Sequence, residues 1–386
     1  MYCVRKVTND LYWVGANDHR LALFENCFPI PRGVSYNAYC LLDEKTVLFD
    51  TVDWSACRQL LENLAYVLDG RELDYLLVNH LEPDHAACIE EILLRHPKVK
   101  LISNEKAFML MRQFGFHVDG HECIEVKEGD TFSFGKHTVT FVGAPMVHWP
   151  EVMMTYEATE KILFAADGFG KFGALDAEEE WADEARRYYI GIVGKYGPQV
   201  QAVLKKAAGL DIQTICSLHG PVLKENLGFY LEKYDKWSFY QPEESGVVIA
   251  YASVYGNTRN AAEYLADVLQ EKGQKTVLYD LARCDKAKAV ADAFRYDRLV
   301  LAGITYNGDL FPCMRSFIEG LTERNYQNRK VAIIENGTWA PMAGKLILGM
   351  FEKSKNLTFT ETTVSIKSAM NEQNKDEIGK LAEELC

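Results

Sequence analysis

No two of the ten cysteines (Cys3, Cys27, Cys40, Cys57, Cys88, Cys123, Cys216, Cys284, Cys313 and Cys386) stand in a C-x-x-C spacing. That excludes a zinc ribbon or an iron–sulfur cluster held by local pairs. The cysteines read instead as small apolar residues kept reduced in a cytosol. The sequence also has no run of about 18 apolar residues, so no transmembrane helix is expected. Its start, MYCVRKVTND, lacks the apolar stretch of a signal peptide, and we read a cytoplasmic chain. Cationic charge is scarce: 42 Lys and Arg against 55 Asp and Glu give a net charge of −13. Phosphate backbones need clustered cations, so nucleic acid is not an expected partner. Internal repeats and low-complexity tracts are missing too.

What is present is ordinary in proportion. Hydrophobic residues make up 48% and charged residues 25% of the 386 positions, as in a globular protein of two or three domains. Up to about residue 240, short apolar strands alternate with amphipathic helices. Strands are expected at 38–42, 46–49, 75–78, 138–142 and 161–165. Helices are expected near 54–68, 86–95, 105–115, 178–206 and 225–237. Helix-covered sheets follow from that mixture. The polar stretch Tyr240-Gln241-Pro242-Glu243-Glu244-Ser245-Gly246 interrupts it, and places a domain boundary between 1–242 and 246–386. Strands at 247–252, 276–280, 298–303 and 330–335, with helices between them, then predict a doubly wound parallel sheet.

One segment carries unusual chemistry. After the apolar run Tyr75-Leu76-Leu77-Val78 comes Asn79-His80-Leu81-Glu82-Pro83-Asp84-His85. Imidazoles and carboxylates are good ligands for zinc, iron or manganese. In an extended segment His80 and Glu82 point the same way. Pro83 denies a continuing helix, and the bend it introduces turns Asp84 and His85 towards a second position. The bland reading is a helix start capped by Asp84. Four ligand-type residues in six positions speak against it.

The segment resembles the metallo-β-lactamase-like fold, whose usual motif is H-x-H-x-D-H. Here Glu82 replaces the second histidine. With that change the segment is similar to the flavodiiron proteins (A-type flavoproteins), which bind two irons. The resemblance implies the remaining ligands: His148 in Ala144-Pro145-Met146-Val147-His148-Trp149-Pro150, Asp167 after the strand at 161–165, and His219 in Ser217-Leu218-His219-Gly220-Pro221. One iron would take His80, Glu82 and His148, and the other Asp84, His85 and His219, with Asp167 bridging. Each would keep an open position, and the ions would lie about 3.5–4 Å apart. The other histidines are His19, His96, His117, His121 and His137, and the last four read as surface residues. His19 and Tyr196 fall where the family places polar residues over the substrate pocket, as hydrogen-bond or proton donors. Trp149 would wall that pocket.

In the second half, Ser253-Val254-Tyr255-Gly256-Asn257-Thr258 lies between a strand and a helix. Such a loop offers backbone N–H groups and a helix dipole to a phosphate. It resembles the flavodoxin loop that holds the phosphate of FMN. Two further loops match in position: Thr305, Tyr306, Asn307 and Gly308 after the third strand, and Asn336, Gly337, Thr338 and Trp339 after the fourth. Tyr306 and Trp339 are placed to flank a planar ring. The fold implied is a metallo-β-lactamase-like αββα sandwich followed by a flavodoxin-like sheet, with no rubredoxin-like extension.

The resemblance covers nearly the whole chain. It implies a diiron–FMN oxidoreductase that takes dioxygen to water, nitric oxide to nitrous oxide, or both. Oxygen scavenging is the favoured activity, with a predominantly nitric oxide-reducing enzyme as the alternative. A hydrolase needs no flavin, so the fusion itself speaks for redox work. Rubredoxin, a reduced deazaflavin or a flavoreductase would donate electrons. A head-to-tail homodimer or a dimer of dimers, in an anaerobic or oxygen-sensitive cell, would be the setting. Two rivals stand beside this reading: a zinc hydrolase with a flavodoxin-like appendage, and an electron carrier with a degenerate metal site. Glu82 counts against the first, and the full ligand set against the second.

Overall fold

Residues 2–386 are described by a computed structural model. The chain forms two compact units: Met1–Tyr189 with Pro198–Asp235, and Ile190–Gly197 with Lys236–Cys386.

The first unit is a sandwich of two sheets. Seven strands make one sheet, in the order Arg5–Lys6, Leu11–Trp13, Tyr39–Leu42, Thr46–Phe49, Tyr75–Leu77, Lys100–Ser103, Cys123–Glu125. Five make the other: Thr131–Ser133, Thr138–Gly143, Met153–Glu157, Ile162–Phe164, Thr214–Cys216. Their facing sides are apolar and fully buried, including Leu11, Trp13, Leu41, Phe49, Leu77, Ile102, Phe141 and Phe164. The two sheets meet where Phe49 stacks on Phe164, ring centroids 3.9 Å apart. Each such side chain removed from water contributes about 1.5–3 kcal/mol, so this layer dominates the unit's stability. Helices form where apolar residues recur at helical spacing. Cys57–Leu68 buries Leu60, Leu64, Val67 and Leu68 along one face.

The second unit is built on five parallel strands in the order Thr276–Asp280, Glu244–Tyr251, Tyr296–Tyr306, Arg329–Asn336, Leu357–Ile366, with the short strand Asp309–Leu310 added antiparallel to Tyr296–Tyr306. Helices Asn257–Glu271, Lys286–Arg295, Pro312–Thr322 and Ala343–Met350 make the crossovers, and Glu372–Glu384 closes the chain. The first strand in sequence lies second in the sheet, and the third lies beside it. The chain therefore winds both ways from there, and the switch point opens at the carboxyl ends of the strands.

Four local expectations need correction. The stretch 178–206 is not one helix. It runs as Trp181–Tyr188, a π turn Tyr189–Val193, a 3-10 turn Gly194–Tyr196 and a helix Gly197–Ala207. Gly191, Gly194 and the pair Gly197-Pro198 remove the side chains and the N–H that a regular helix needs. Pro83 does not merely bend the chain, because it is the first residue of the short helix Pro83–Ala86, a position where its missing N–H does no harm. The strand Leu357–Ile366 was not expected. It carries four threonines and is only partly buried, as befits a sheet edge. His137 is not a surface residue. Its side chain is fully buried between Asp10 and Glu157, both at 3.1 Å, and two carboxylates offset its burial. No helix of the described residues is long and apolar enough to cross a membrane.

Candidate metal centre

The ligand-type residues sit on loops that leave the strands of the sandwich. Asp50, just past Thr46–Phe49, has left-handed backbone at φ 55°. Its buried carboxylate accepts hydrogen bonds from Asn79 N at 2.6 Å, Asn79 Nδ2 at 2.7 Å and His80 N at 3.2 Å. Thr155 donates its hydroxyl to Asn79 Oδ1 at 2.7 Å. Burial pushes the Asp50 carboxyl up. The 79–80 segment is thereby clamped between the two sheets. Glu82 then occupies the cap position of Pro83–Ala86, and Thr51 donates its hydroxyl to the His85 carbonyl at 2.7 Å.

The fold gathers two groups of side chains. His80, Glu82, His148 and Asp167 form one, and Asp84, His85 and His219 the other, each with its ligand-type atoms within 4.8 Å of one another. Asp167 divides between them. Its Oδ2 lies 3.3 Å from both His80 Nε2 and His148 Nε2. Its Oδ1 lies 3.1 Å from His85 Nε2 and 3.8 Å from His219 Nε2. Glu82 Oε2 reaches His148 Nε2 at 2.9 Å, and Asp84 Oδ2 reaches His219 Nε2 at 3.1 Å.

Whether these residues fit metal ions is decided by their unmet polar atoms. Nε2 of His80, His85 and His219 and both carboxylate oxygens of Asp84 and Asp167 are buried without a hydrogen-bond partner. One unmet buried group costs about 1–3 kcal/mol, so such a cluster is tolerable only if something else satisfies it. Charge agrees. Burial disfavours the His148 imidazolium, yet Asp167 and Glu82 raise it to about 9. His80 is held well above its usual value by Asp167, Glu151 and Glu82 in spite of burial. Asp167 is held well below its own, because His85 and His80 outweigh the burial. The carboxylates thus call for positive charge at this spot, and metal ions supply it. Imidazoles with oxygen donors and no thiolate suit iron.

Aromatic rings wall the site. Phe24, Tyr188 and Tyr36 lie 5.3, 5.4 and 6.0 Å from the His219 ring, and Trp149 lies 5.5 Å from His80. Three polar residues here escaped the sequence reading. Glu151 holds His80 Nδ1 at 2.9 Å. Ser35 gives its carbonyl to His219 Nδ1 at 2.7 Å. Glu25 faces Glu82, and burial together with Glu82 pushes its carboxyl up to about 8. Glu151 stands three residues after His148, a detectable signal. Glu25 lies in the turn between the short strands Leu23–Phe24 and Phe28–Pro29, and Ser35 in the three-residue strand Val34–Tyr36, elements too short to show a sequence period. His19 is not brought into either group. It is exposed and pairs with Asp176 at 3.0 Å. Tyr196 ends the 3-10 turn Gly194–Tyr196, which clusters with the second unit.

In that unit, Gly256 caps the helix Asn257–Glu271 with φ 93° and without a side-chain hydrogen bond. The first-turn N–H groups are thus left to an anion. Ser253 Oγ accepts from Gly256 N at 3.1 Å and shapes the loop. Val254 and Tyr255 are exposed beside it. Thr258 is buried, and its hydroxyl meets Asn336 Nδ2 at 3.3 Å. Asn307 and Gly308, with φ of 51° and 71°, make the two-residue turn of a hairpin between Tyr306 and Asp309, as Asn-Gly does. Thr305 Oγ1 accepts from Met342 N at 2.8 Å, which ties its loop to the one through Gly337, Thr338 and Trp339. Trp339 is 87% exposed and Tyr306 46%. Bare aromatic faces beside an uncapped helix start fit a flat, phosphorylated ring such as FMN.

Comparison with known proteins gives two family matches: residues 34–220 match the ODP family beta lactamase, and residues 248–359 match a flavodoxin domain. The chain is 30% identical to the nitric oxide reductase of Moorella thermoacetica, covering 88% of each. It is 29% identical to the anaerobic nitric oxide reductase flavorubredoxin of Aeromonas hydrophila, over 86% of this chain and 70% of that one. In structure it superposes on rubredoxin oxygen:oxidoreductase from Desulfovibrio gigas with a TM-score of 0.92 and 26% identity, over 99% of this chain and 98% of that one.

Proposed function

The chain belongs to the flavodiiron proteins, and from that membership we propose a diiron–FMN oxidoreductase that reduces dioxygen to water, nitric oxide to nitrous oxide, or both. The observation that carries the proposal is the division of Asp167, one oxygen towards each histidine group. A carboxylate so placed suits two ions side by side. The full assignment is His80, Glu82 and His148 for one iron, Asp84, His85 and His219 for the other, and Asp167 for both. FMN is assigned to the loops at 253–258, 305–308 and 336–339, and the two domains to 1–242 and 246–386.

When bound, FMN and two irons together store four electrons, enough to carry dioxygen to two waters, and two electrons suffice to couple two nitric oxides. The chain's own residues do the rest. Asp50 and Asn79 fix the His80 loop before any ion arrives, so little reorganisation is left for the reaction. Phe24, Tyr36, Tyr188 and Trp149 keep the surroundings apolar, which strengthens each electrostatic contact. The Glu25 carboxyl stands beside Glu82 at the rim of the centre, within reach to pass a proton. The phosphate falls to the N–H groups at Asn257 and Thr258, and Tyr306 and Trp339 are placed to cover the ring.

Three finer points complete the proposal. Electrons come from a separate rubredoxin, a reduced deazaflavin or a flavoreductase. The protein works as a head-to-tail homodimer or a dimer of dimers, in which the flavin of one subunit serves the diiron centre of its partner. It acts in the cytoplasm. A hydrolytic role has no support beside a flavodoxin-like unit and a Glu82-containing ligand set.

Paired turnover tests the proposal. Protein purified without oxygen, with iron and FMN quantified, is reduced by one donor and followed on oxygen and nitric oxide electrodes. Faster oxygen loss without peroxide makes it an oxygen reductase. Faster nitric oxide loss with nitrous oxide formed makes it a nitric oxide reductase. Iron and FMN present with neither gas consumed would refute the proposal.

A further inference from the structure

The two histidine groups differ in what stands behind them. In the first, His80 Nδ1, the ring nitrogen turned away from the cluster, meets Glu151 Oε1 at 2.9 Å. The same oxygen accepts from Leu81 N at 3.0 Å. The Glu151 side chain is fully buried, and Asn104 Nδ2 donates to its backbone carbonyl at 2.7 Å. In the second group, His219 Nδ1 meets only the neutral Ser35 carbonyl, at 2.7 Å. His85 Nδ1 is buried with no partner.

The other donors balance. Each group has one carboxylate of its own, Glu82 or Asp84, and Asp167 is shared. Each has two imidazoles. Among the described residues, Glu151 is the one carboxylate that meets the Nδ1 of a histidine in either group, and it stands on one side only. A carboxylate accepting from Nδ1–H fixes the tautomer and makes Nε2 a stronger donor. It also sets a full negative charge in a poorly screened interior, where a carbonyl sets only a dipole. Both effects favour the more highly charged ion on that side.

We propose that Glu151 is a positioning residue that makes the two metal positions unequal. The position formed by His80, Glu82 and His148 binds its iron more tightly, and holds it ferric at a lower potential, than the position formed by Asp84, His85 and His219. The inference rests on the diiron reading above.

Two substitutions test it on whole, FMN-loaded protein. Glu151→Ala leaves His80 Nδ1 without its acceptor, and should weaken one iron by about 10–100-fold while sparing the other. Glu151→Gln keeps an acceptor oxygen but removes the charge. It should retain both irons, move one Mössbauer doublet only, and bring the two one-electron reduction steps of the centre closer together. Loss of both irons together from Glu151→Ala would overturn the proposal. So would a Glu151→Gln protein whose doublets and reduction steps match the wild type. If Glu151→Ala fails to fold, Glu151→Gln decides alone. Wild-type protein that cannot hold two irons would instead overturn the diiron reading itself, and this inference with it.

Discussion

The two units solve opposite binding problems. The first keeps its ligand atoms buried, unpaired and charged, braced by Asp50, Asn79, Thr51, Glu151 and Ser35. The second holds out backbone N–H groups and bare aromatic faces on loops, with Tyr255 92% exposed and Trp339 87%. Small ions that bind gas need a dry, prearranged cage. A flavin that exchanges electrons with another protein needs an open edge. The chain thus separates catalysis from electron supply by accessibility.

The sharpest way to break this contrast is Asp167→Ala. Turnover should vanish and iron content fall while FMN stays bound, as read by gas electrodes, metal analysis and flavin absorbance. Wild-type turnover in this variant would sink the ligand assignment. The mirror experiment is Gly256→Val. A β-branched residue at φ 93° carries strain of order 1–3 kcal/mol, and FMN affinity should fall accordingly with iron unchanged. Loss of iron from Gly256→Val would show that the two sites are not independent.

Trp339→Ala should act more gently. A stacked aromatic is worth about 0.5–1.5 kcal/mol beyond its burial, so flavin binding should weaken a few-fold in a fluorescence titration. The smallest expected effect concerns no cofactor. Glu157 and Asp10 raise the pKa of His137. A raised histidine contributes stability that is complete below its unfolded value of about 6.5. That stability is lost as pH climbs through the higher folded value. His137→Gln should therefore flatten the fall of stability on the alkaline side of 6.5. The slope it removes is at most about 1.4 kcal/mol per pH unit, measurable by denaturant titration at several pH values.

Much of this was legible in the residues. The seven side chains that the fold gathers into two groups follow apolar strands, and ligand types crowded beyond a buried run are an unusual pattern. The parallel sheet announced itself through uninterrupted apolar strands such as Val247–Tyr251. What escaped has a common cause. Glu25 and Ser35 reach the centre from a hairpin turn and a three-residue strand, both too short for a period to be read. His137 is ordinary in sequence, and only its distant carboxylates make burial tolerable. The break after Tyr188 was signalled by glycines, but a long amphipathic pattern masked it.

The residues of the two groups, proposed above as iron ligands, also run a long way along the chain, from His80 near the first sheet's centre to His219 after the last strand of the second. Iron held there ties together segments that are remote in sequence. Its binding free energy therefore adds to the folding free energy of the whole sandwich, by about 2.7 kcal/mol when free iron stands at a hundred times its dissociation constant. The lifetime of this protein in a cell should then rise and fall with the iron supply, so that starvation removes the enzyme itself along with its activity.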